Sequence, residues 1–300
     1  MSSVAVIADI HGNPFALEAV IEDINAVGVD EVIVAGDLVG RGPFGSVVVD
    51  RISGLGWTCI RGNHEDYLLG FHRREVPDTW WETDEWAASR WMASELKARH
   101  YSFIDALPFS TTSTATPRLR VVHGSPESHS EGLGSWTKDE KIDHHLKSIE
   151  ESILVCAHTH RPMVRHRPQG SVVNIGSTGL PFNGDWRAQY AIFYQGPRRA
   201  GHADELKGWA VELRQVEYDR DAFLEAYRSS GFLENGGVSA ALLMAEVKTA
   251  RPHLVPFLVW ARTLKIAPTP EKLEDFFDLY DPSLPMSAFI EQTRALISTH

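Results

Sequence analysis

Short apolar runs alternate with amphipathic stretches over the first sixty residues. Val4–Ala8 (VAVIA) stops at Asp9, and Glu31–Ala35 (EVIVA) stops at Gly36–Asp37. Apolar runs of this length, bounded by turn residues, predict buried strands. Between them Asn13–Val27 has helical spacing, with Pro14 in the first turn, where a missing N–H is harmless. Pro43–Ser53 predicts a second helix. Trp57–Ile60 predicts a third strand, ending at Arg61–Gly62–Asn63–His64. A β-α-β-α-β rhythm specifies a parallel-type sheet with helices on its faces.

Further along, short strands are predicted at Leu119–Val122, Ile153–Cys156, Met163–Arg167, Ser171–Ile175, Gln189–Tyr194 and Trp209–Val216. The stretch GPRRAGHADELKG (196–208) predicts a polar loop between the last two. Arg73–His100 is polar, Trp-rich and helical in pattern. From Asp219 onward the pattern is helical, broken by Gly236–Gly237, Pro252, Pro268, Pro270 and Pro282. The expected organisation is a core over 1–218, with a Trp-rich helical insertion at about 72–106, and a helical extension over 219–300 packed on that core.

Chemistry falls where the strands stop. Five apolar strands run directly into metal-type ligands: IADIHGN (7–13), VAGDLVGRGP (34–43), IRGNHED (60–66), VVHGS (121–125) and CAHTHRP (156–162). In open α/β sheets, ligands gather outside the carboxyl ends of the strands. Neighbouring strand ends would collect Asp9, His11, Asp37, Asn63, His123, His158 and His160 in one cleft. Nine of the fourteen histidines lie outside these five stretches, so placement, not histidine content, is the signal. In extended chain i and i+2 share a side, which would turn His158 and His160 toward the same cleft.

The order D-x-H, G-D, G-N-H-E, H-G and H-x-H resembles the calcineurin-like metallophosphoesterases across residues 9–160. The stretch VVNIGSTGLPFNGDWRAQYAIF (172–193) is similar to the segment that follows in the bacterial phosphodiesterase branch of that family. The resemblance covers about two thirds of the chain. It implies an α/β fold of the α+β type: a central two-sheet β-sandwich flanked by helices. It also implies a dinuclear centre. Asp9, His11, Asp37 and His160 would hold one cation, and Asp37, Asn63, His123 and His158 the other, with Asp37 bridging. Imidazole, carboxylate and amide ligands without thiolate suit manganese first, with iron or zinc as alternatives, and disfavour a closed structural zinc site. The family assigns the histidine matching His64 to proton transfer, and a ring with a pKa near 6.5 could donate at neutral pH. Arg41 matches an arginine that contacts phosphate in the related phosphoprotein phosphatases; a surface arginine paired with an acid is the competing reading.

Four departures are informative. The usual G-H-x-H reads Ala157–His158–Thr159–His160. Gly40 stands where the phosphoprotein phosphatases place an aspartate that orients the histidine, so His64 needs another orienter. Ile175 replaces a usual proline, and Phe182 a commoner arginine. The compact H-x-H and the absent aspartate argue against a protein phosphatase.

Charge sharpens the reading. Lys and Arg number 29 against 40 Asp and Glu, a net charge of −11, with no basic run, which argues against stable nucleic-acid or membrane-surface binding. Two divalent ions, two aspartates and a hydroxide would leave about +1 in the cleft, the local positive charge a phosphate needs. No signal segment or membrane-length stretch is visible, and Cys59 and Cys156 sit in apolar runs as reduced thiols. A cytoplasmic protein is therefore expected. With 300 residues, 43% of them hydrophobic, the core can be sizeable without disulfides.

The resemblance implies a small phosphate-ester substrate. A phosphodiesterase acting on cyclic nucleotides such as 2′,3′-cAMP leads, by attack of a metal-bridging hydroxide with His64 protonating the leaving oxygen. A phosphomonoesterase for nucleotides or sugar phosphates is the alternative, and a dinucleoside polyphosphate hydrolase comes third. A different class, a metal-free protein-binding scaffold of the same fold, is opposed by competent side chains at all seven ligand positions and at His64. Trp80 and Trp91, eleven residues apart, would share a face of one continuous helix, to stack a base or to bury the helix. His129 could line the entrance. His144–His145 read as a solvated face, and the extension could support a homo-oligomer.

Overall fold

The computed structural model describes residues 2–115, 118–196, 204–282, 284 and 286–297. Its strands are β1 (Ser3–Ile7), β2 (Glu31–Val34), β3 (Thr58–Cys59), β4 (Ser110–Thr112), β5 (Arg120–Val122), β6 (Ile153–Cys156), β7 (Met163–His166), β8 (Ser171–Asn174), β9 (Ala188–Gln195), β10 (Asp204–Leu206) and β11 (Trp209–Val216). Its helices are α1 (Pro14–Val27), α2 (Gly45–Leu55), α3 (Asn63–Arg73), α4 (Asp78–Glu82), α5 (Ala87–Ser94), α6 (Ala98–Asp105), α7 (Asp139–Lys147), α8 (Arg220–Ser229), α9 (Phe232–Asn235), α10 (Gly237–Thr249), α11 (Leu254–Leu264), α12 (Pro270–Leu279) and α13 (Met286–Ile297).

Among the described residues the strands form two mixed sheets, ordered β10-β11-β9-β1-β2-β3 and β4-β5-β6-β8-β7. In the first, β1, β2 and β3 run parallel, and β9 joins β1 antiparallel. In the second, β5, β6 and β8 are parallel, with β4 and β7 as antiparallel edges. The alternation of side chains along a strand divides the core. Val4, Val6 and Ile33 face Val121, Ile153, Val155 and Val173 between the sheets. Ala5, Ile7 and Val34 face the opposite way, onto the helices that carry Leu17, Val20 and Val48. Each fully buried Val or Ile contributes about 1.5–3 kcal/mol, so this interleaving fixes the level at which every strand ends.

α1 shows how the ends are made. Asn13 Oδ1 accepts from Ala16 N at 3.0 Å, an N-cap bond that satisfies one orphan donor. Gly28 closes the helix at φ +74°. The helix therefore begins five residues after Asp9.

Several expectations change. α3 starts inside the G-N-H-E motif: Glu65 Oε2 accepts from Gly62 N at 2.7 Å, so one stretch serves as both ligand loop and helix start. α7 is amphipathic and not a solvated face: His144 is exposed, but His145 is buried and pairs with Glu131 at 2.9 Å. In the region read as a polar loop, residues 197–203 lie outside the described residues, and Asp204–Leu206 form the edge strand β10. The Trp-rich insertion is α4, a 3₁₀ turn at Asp84–Trp86, α5 and α6. Trp80 and Trp91 therefore lie on different elements. Trp80 stacks on Trp86 at 3.5 Å, and Trp91 packs on Phe232 at 5.0 Å, so these rings mainly bury one another and the helices.

The extension packs in two clusters, one shared with the core and one internal. Phe223, Leu224, Tyr227, Phe232, Ala240 and Leu243 join the same buried cluster as α1 and α2. Val238, Leu242, Phe257, Trp260, Phe276 and Phe289 form a smaller cluster of their own.

Candidate metal centre and cleft

All seven candidate ligands meet at the carboxyl ends of β1, β2, β3, β5 and β6. Ligand atoms of Asp9, His11 and His160 lie within 4.8 Å of one another, and so do those of Asp37, His123 and His158. Asp37 Oδ2 is 3.6 Å from His11 Nε2 and 3.3 Å from His123 Nε2, so one carboxylate oxygen touches both clusters. Asn63 Oδ1 lies 3.0 Å from His123 Nε2 and 2.8 Å from His158 Nδ1.

The loops are bent sharply to achieve this. Asp9, His11, Asp37, His158 and His160 all lie in the left-handed region, at φ +52°, +50°, +54°, +64° and +56°. Such backbone costs a non-glycine residue roughly 1–2 kcal/mol, and strain of this kind persists where the surroundings over-determine it. It also corrects the extended reading of H-x-H. Thr159 N donates to Ala157 O at 2.7 Å in a tight turn, and the two rings diverge. His160 goes to Asp9 and His11, and His158 to Asn63. The loops can approach because Gly62 has no side chain: a Cβ there would stand 2.2 Å from Asp37 Oδ1.

The side chains suit a pair of cations. His11 Nδ1 bonds Val39 O, and His160 Nδ1 bonds Leu180 O. A carbonyl only accepts, so both rings carry their proton on Nδ1. The two Nε2 lone pairs then face each other at 3.1 Å, an arrangement that repels unless a cation shares them. Burial holds the His11 pKa down at about 3 and that of His160 well below 6.5. Burial also lowers His158 to about 4. Asp9 Oδ2 is fixed by His158 N at 3.0 Å, while its Oδ1 is buried with no hydrogen-bond partner. Orphaned buried acceptors of this kind need an explanation, and a cation supplies one. In the other cluster, His123 Nδ1 bonds Ala35 O at 2.8 Å and directs Nε2 at Asp37 and Asn63.

Glu65 was missed as a site residue. Its buried carboxylate accepts from the backbone of Asp37 (2.9 Å), Leu38 (2.7 Å), Val39 (3.2 Å) and Gly62 (2.7 Å). It ties the loop after β2 to the loop after β3 and does not hold His64. Its position three residues into α3 was the available signal.

His64 stands beside Asp37, whose Oδ1 accepts its backbone N–H at 2.9 Å. Gly40 is not a vacant place awaiting an acid: a Cβ there would stand 2.2 Å from His64 Nδ1. The missing orienter is Arg41, whose Nε donates to His64 Nε2 at 3.2 Å. Arg41 also pairs with buried Glu246 at 2.8 Å, the acid pairing of the competing reading, made to a buried carboxylate and not at the surface. Burial drives the His64 pKa well below 6.5, correcting the expectation of an unperturbed ring with a pKa near 6.5. His129 is not among the residues that line the cleft; it bonds to Asp66 at 2.7 Å and stacks on Phe109 at 4.4 Å.

A cleft of about 420 Å³ opens over Arg41, Asn63, His64 and His158. Tyr67 and Trp86 line it from the core and insertion, and Leu254, Val255 and Leu258 of α11 from the extension. Phe182 stacks on His160 at 4.4 Å and lies 5.7 Å beneath the Arg41 guanidinium. None of the described helices is long and apolar enough to cross a membrane.

The sequence profile of the calcineurin-like phosphoesterase superfamily domain matches residues 2–195. The uncharacterized protein MJ0912 of Methanocaldococcus jannaschii is 27% identical over 233 residues, spanning 73% of this chain and 88% of that protein. A metallophosphoesterase from Sphaerobacter thermophilus, 24% identical, superposes with a TM-score of 0.62 and covers 83% of this chain and 99% of its own. The hypothetical protein PH1004 from Pyrococcus horikoshii OT3, 21% identical, gives 0.66 over 84% of this chain and 100% of that one. At these identities the structural likeness is one of fold.

Proposed function

Because the chain belongs to the calcineurin-like phosphoesterase superfamily, we propose that it is a dinuclear-metal phosphodiesterase acting on small diesters, 2′,3′-cyclic nucleotides first among them. The observation that carries this is the meeting of His11, His160, His123 and His158 with Asp37, which touches both clusters, and with Asp9, whose inward Oδ1 is buried with no hydrogen-bond partner. Asp9, His11, Asp37 and His160 would hold one cation and Asp37, Asn63, His123 and His158 the other, with manganese the preferred metal. When bound, such a pair offsets phosphate charge and lowers the pKa of water from 15.7 towards about 7.

The chain's own groups do the rest. Asp37 fixes the spacing of the two clusters, and Glu65 fixes Asp37. Arg41 offers a guanidinium to the phosphate. His64 is the group placed to carry a proton to the leaving oxygen. The ring is neutral at rest, and an anionic ester beside it favours the protonated form. Tyr67 and Trp86 face Leu254 and Leu258 across the cleft, which supports an ester with a flat or apolar organic group. The charge of Arg41 is offset by Glu246, and Glu85, which also lines the cleft, is paired with Arg262. Little positive charge is left over, which favours a singly charged diester over a doubly charged monoester.

The test is a panel with added manganese: bis-p-nitrophenyl phosphate, p-nitrophenyl phosphate, 2′,3′-cAMP and 3′,5′-cAMP. Diesters should turn over faster, and preference for the monoester would reverse the assignment. A metal content near zero with no hydrolysis would leave a binding scaffold. His64→Ala should keep its metal and slow hydrolysis by about 10²–10⁴-fold, the usual worth of a positioned acid. An unchanged rate would remove His64 from the chemistry.

A further inference from the structure

The extension touches the centre through one buried carboxylate. Glu246, on α10, is wholly buried, an expensive position for a charge unless it is paired and hydrogen-bonded. Its two oxygens are divided between two tasks. Oε2 accepts from Arg41 Nη1 at 2.8 Å. Oε1 accepts from the backbone of His253 at 2.9 Å and Leu254 at 3.0 Å, the start of α11, where no side chain of the N-cap residue itself forms a cap bond. Tyr227, on α8, adds a bond to Arg41 O at 3.2 Å. Arg41 lies between Gly40 and Gly42 at φ +63°, so the local chain does little to aim its side chain. The aim comes from across the cleft.

We propose that Glu246 is a positioning residue for ester hydrolysis: it holds the Arg41 guanidinium against His64 and fastens that pair to the start of α11. The same carboxylate thus sets the direction of the site's arginine and the seat of the helix whose Leu254, Val255 and Leu258 wall the cleft. A helix end capped by a buried carboxylate of the preceding helix, which also holds Arg41, couples closure to orientation, which an ordinary N-cap on α11 would not do. The inference rests on the phosphoesterase reading above.

The test uses the full chain loaded with manganese, comparing the unaltered protein with Glu246→Gln, Arg41→Ala and the double variant. Glutamine keeps the shape but has one acceptor oxygen, so it cannot serve both α11 and Arg41. Glu246→Gln should lower kcat/KM on a diester by about 10-fold, the scale of one charge-assisted hydrogen bond. It should weaken binding of inorganic phosphate to a similar degree while leaving manganese content unchanged. In the Arg41→Ala background the same change should cost less than about 2-fold, because the partner through which it acts is gone. Full activity in Glu246→Gln, or an equal loss in both backgrounds, overturns the proposal. Failure of the phosphoesterase reading shows itself separately, as no turnover by the unaltered protein on any ester. Phosphate affinity then decides alone: a loss confined to chains carrying Arg41 supports the role of Glu246, and unchanged affinity removes it.

Discussion

The strand-end loops and the helical extension meet at one cleft by opposite means. The loops are irregular, buried and bent into left-handed backbone at five candidate ligands. Their stability is borrowed from the sandwich beneath and from Glu65, which collects four backbone N–H groups. The extension is regular helix with apolar faces, and it delivers a carboxylate, a tyrosine hydroxyl and an aliphatic wall. The difference separates chemistry from access. Groups that must hold charge at fixed spacing come from the rigid sheet ends, and groups that aim and enclose come from a layer added over them.

Four substitutions would sharpen or break that division. The largest effect should come from Asp37→Ala, which removes the oxygen shared by His11 and His123. Bound metal and diester hydrolysis should both fall below detection, while circular dichroism stays that of the folded chain. One retained ion with measurable turnover would mean that the two clusters work independently. Next, Glu65→Gln replaces an all-acceptor carboxylate with an amide that faces four donors. Metal affinity, read by titration, should weaken about 10–100-fold, the usual cost of losing a group that orients ligands.

On the extension, Leu258→Ala should leave metal content alone and lower kcat/KM for a nucleotide diester by roughly 10-fold, as lost apolar contact in a pocket does. A parallel drop in metal content would erase the distinction between chemistry and access. The smallest effect lies away from both regions, at Asp23 on α1. Arg214 bonds it at 2.8 Å through two nitrogens, and Tyr190 bonds it as well. Burial pushes this carboxyl up, but those bonds outweigh it and hold the pKa below 3.8. A depressed folded-state pKa stabilises above the unfolded value and is lost as pH falls through the folded one. Asp23→Asn should therefore cost about 1–2 kcal/mol at neutral pH. The penalty should shrink in denaturant melts as the pH falls below the ordinary carboxylate range and through the depressed folded-state pKa, with metal content and turnover unmoved at pH 7.

The sandwich was legible because its strands are short apolar runs with unmistakable stops, and the ligands follow those stops directly. Ile153–Cys156 and Trp209–Val216 appear with the predicted bounds. Positions and backbone geometry are separate matters. H-x-H suggests a shared side by alternation, yet a left-handed turn at Ala157–Thr159, and not extended chain, delivers the two rings to the cleft. Long-range partners left only faint traces. Glu246 was visible as a lone acid in LLMAEV, a charge on an otherwise apolar helix face, but nothing local says that its partner lies 205 residues away. α7 was hidden by its charges, since only Ile142, His145 and Leu146 turn inward. The tryptophans misled because the 3₁₀ turn at Asp84–Trp86 breaks the helical register that spacing assumes.

Gly40 bears on descent. With the imidazole of His64 filling the volume a methyl would need, an acid introduced at that position could arrive only after the ring had left. The arginine-aimed and aspartate-aimed arrangements are therefore separate solutions. A side chain at position 40 would displace His64 and not merely orient it.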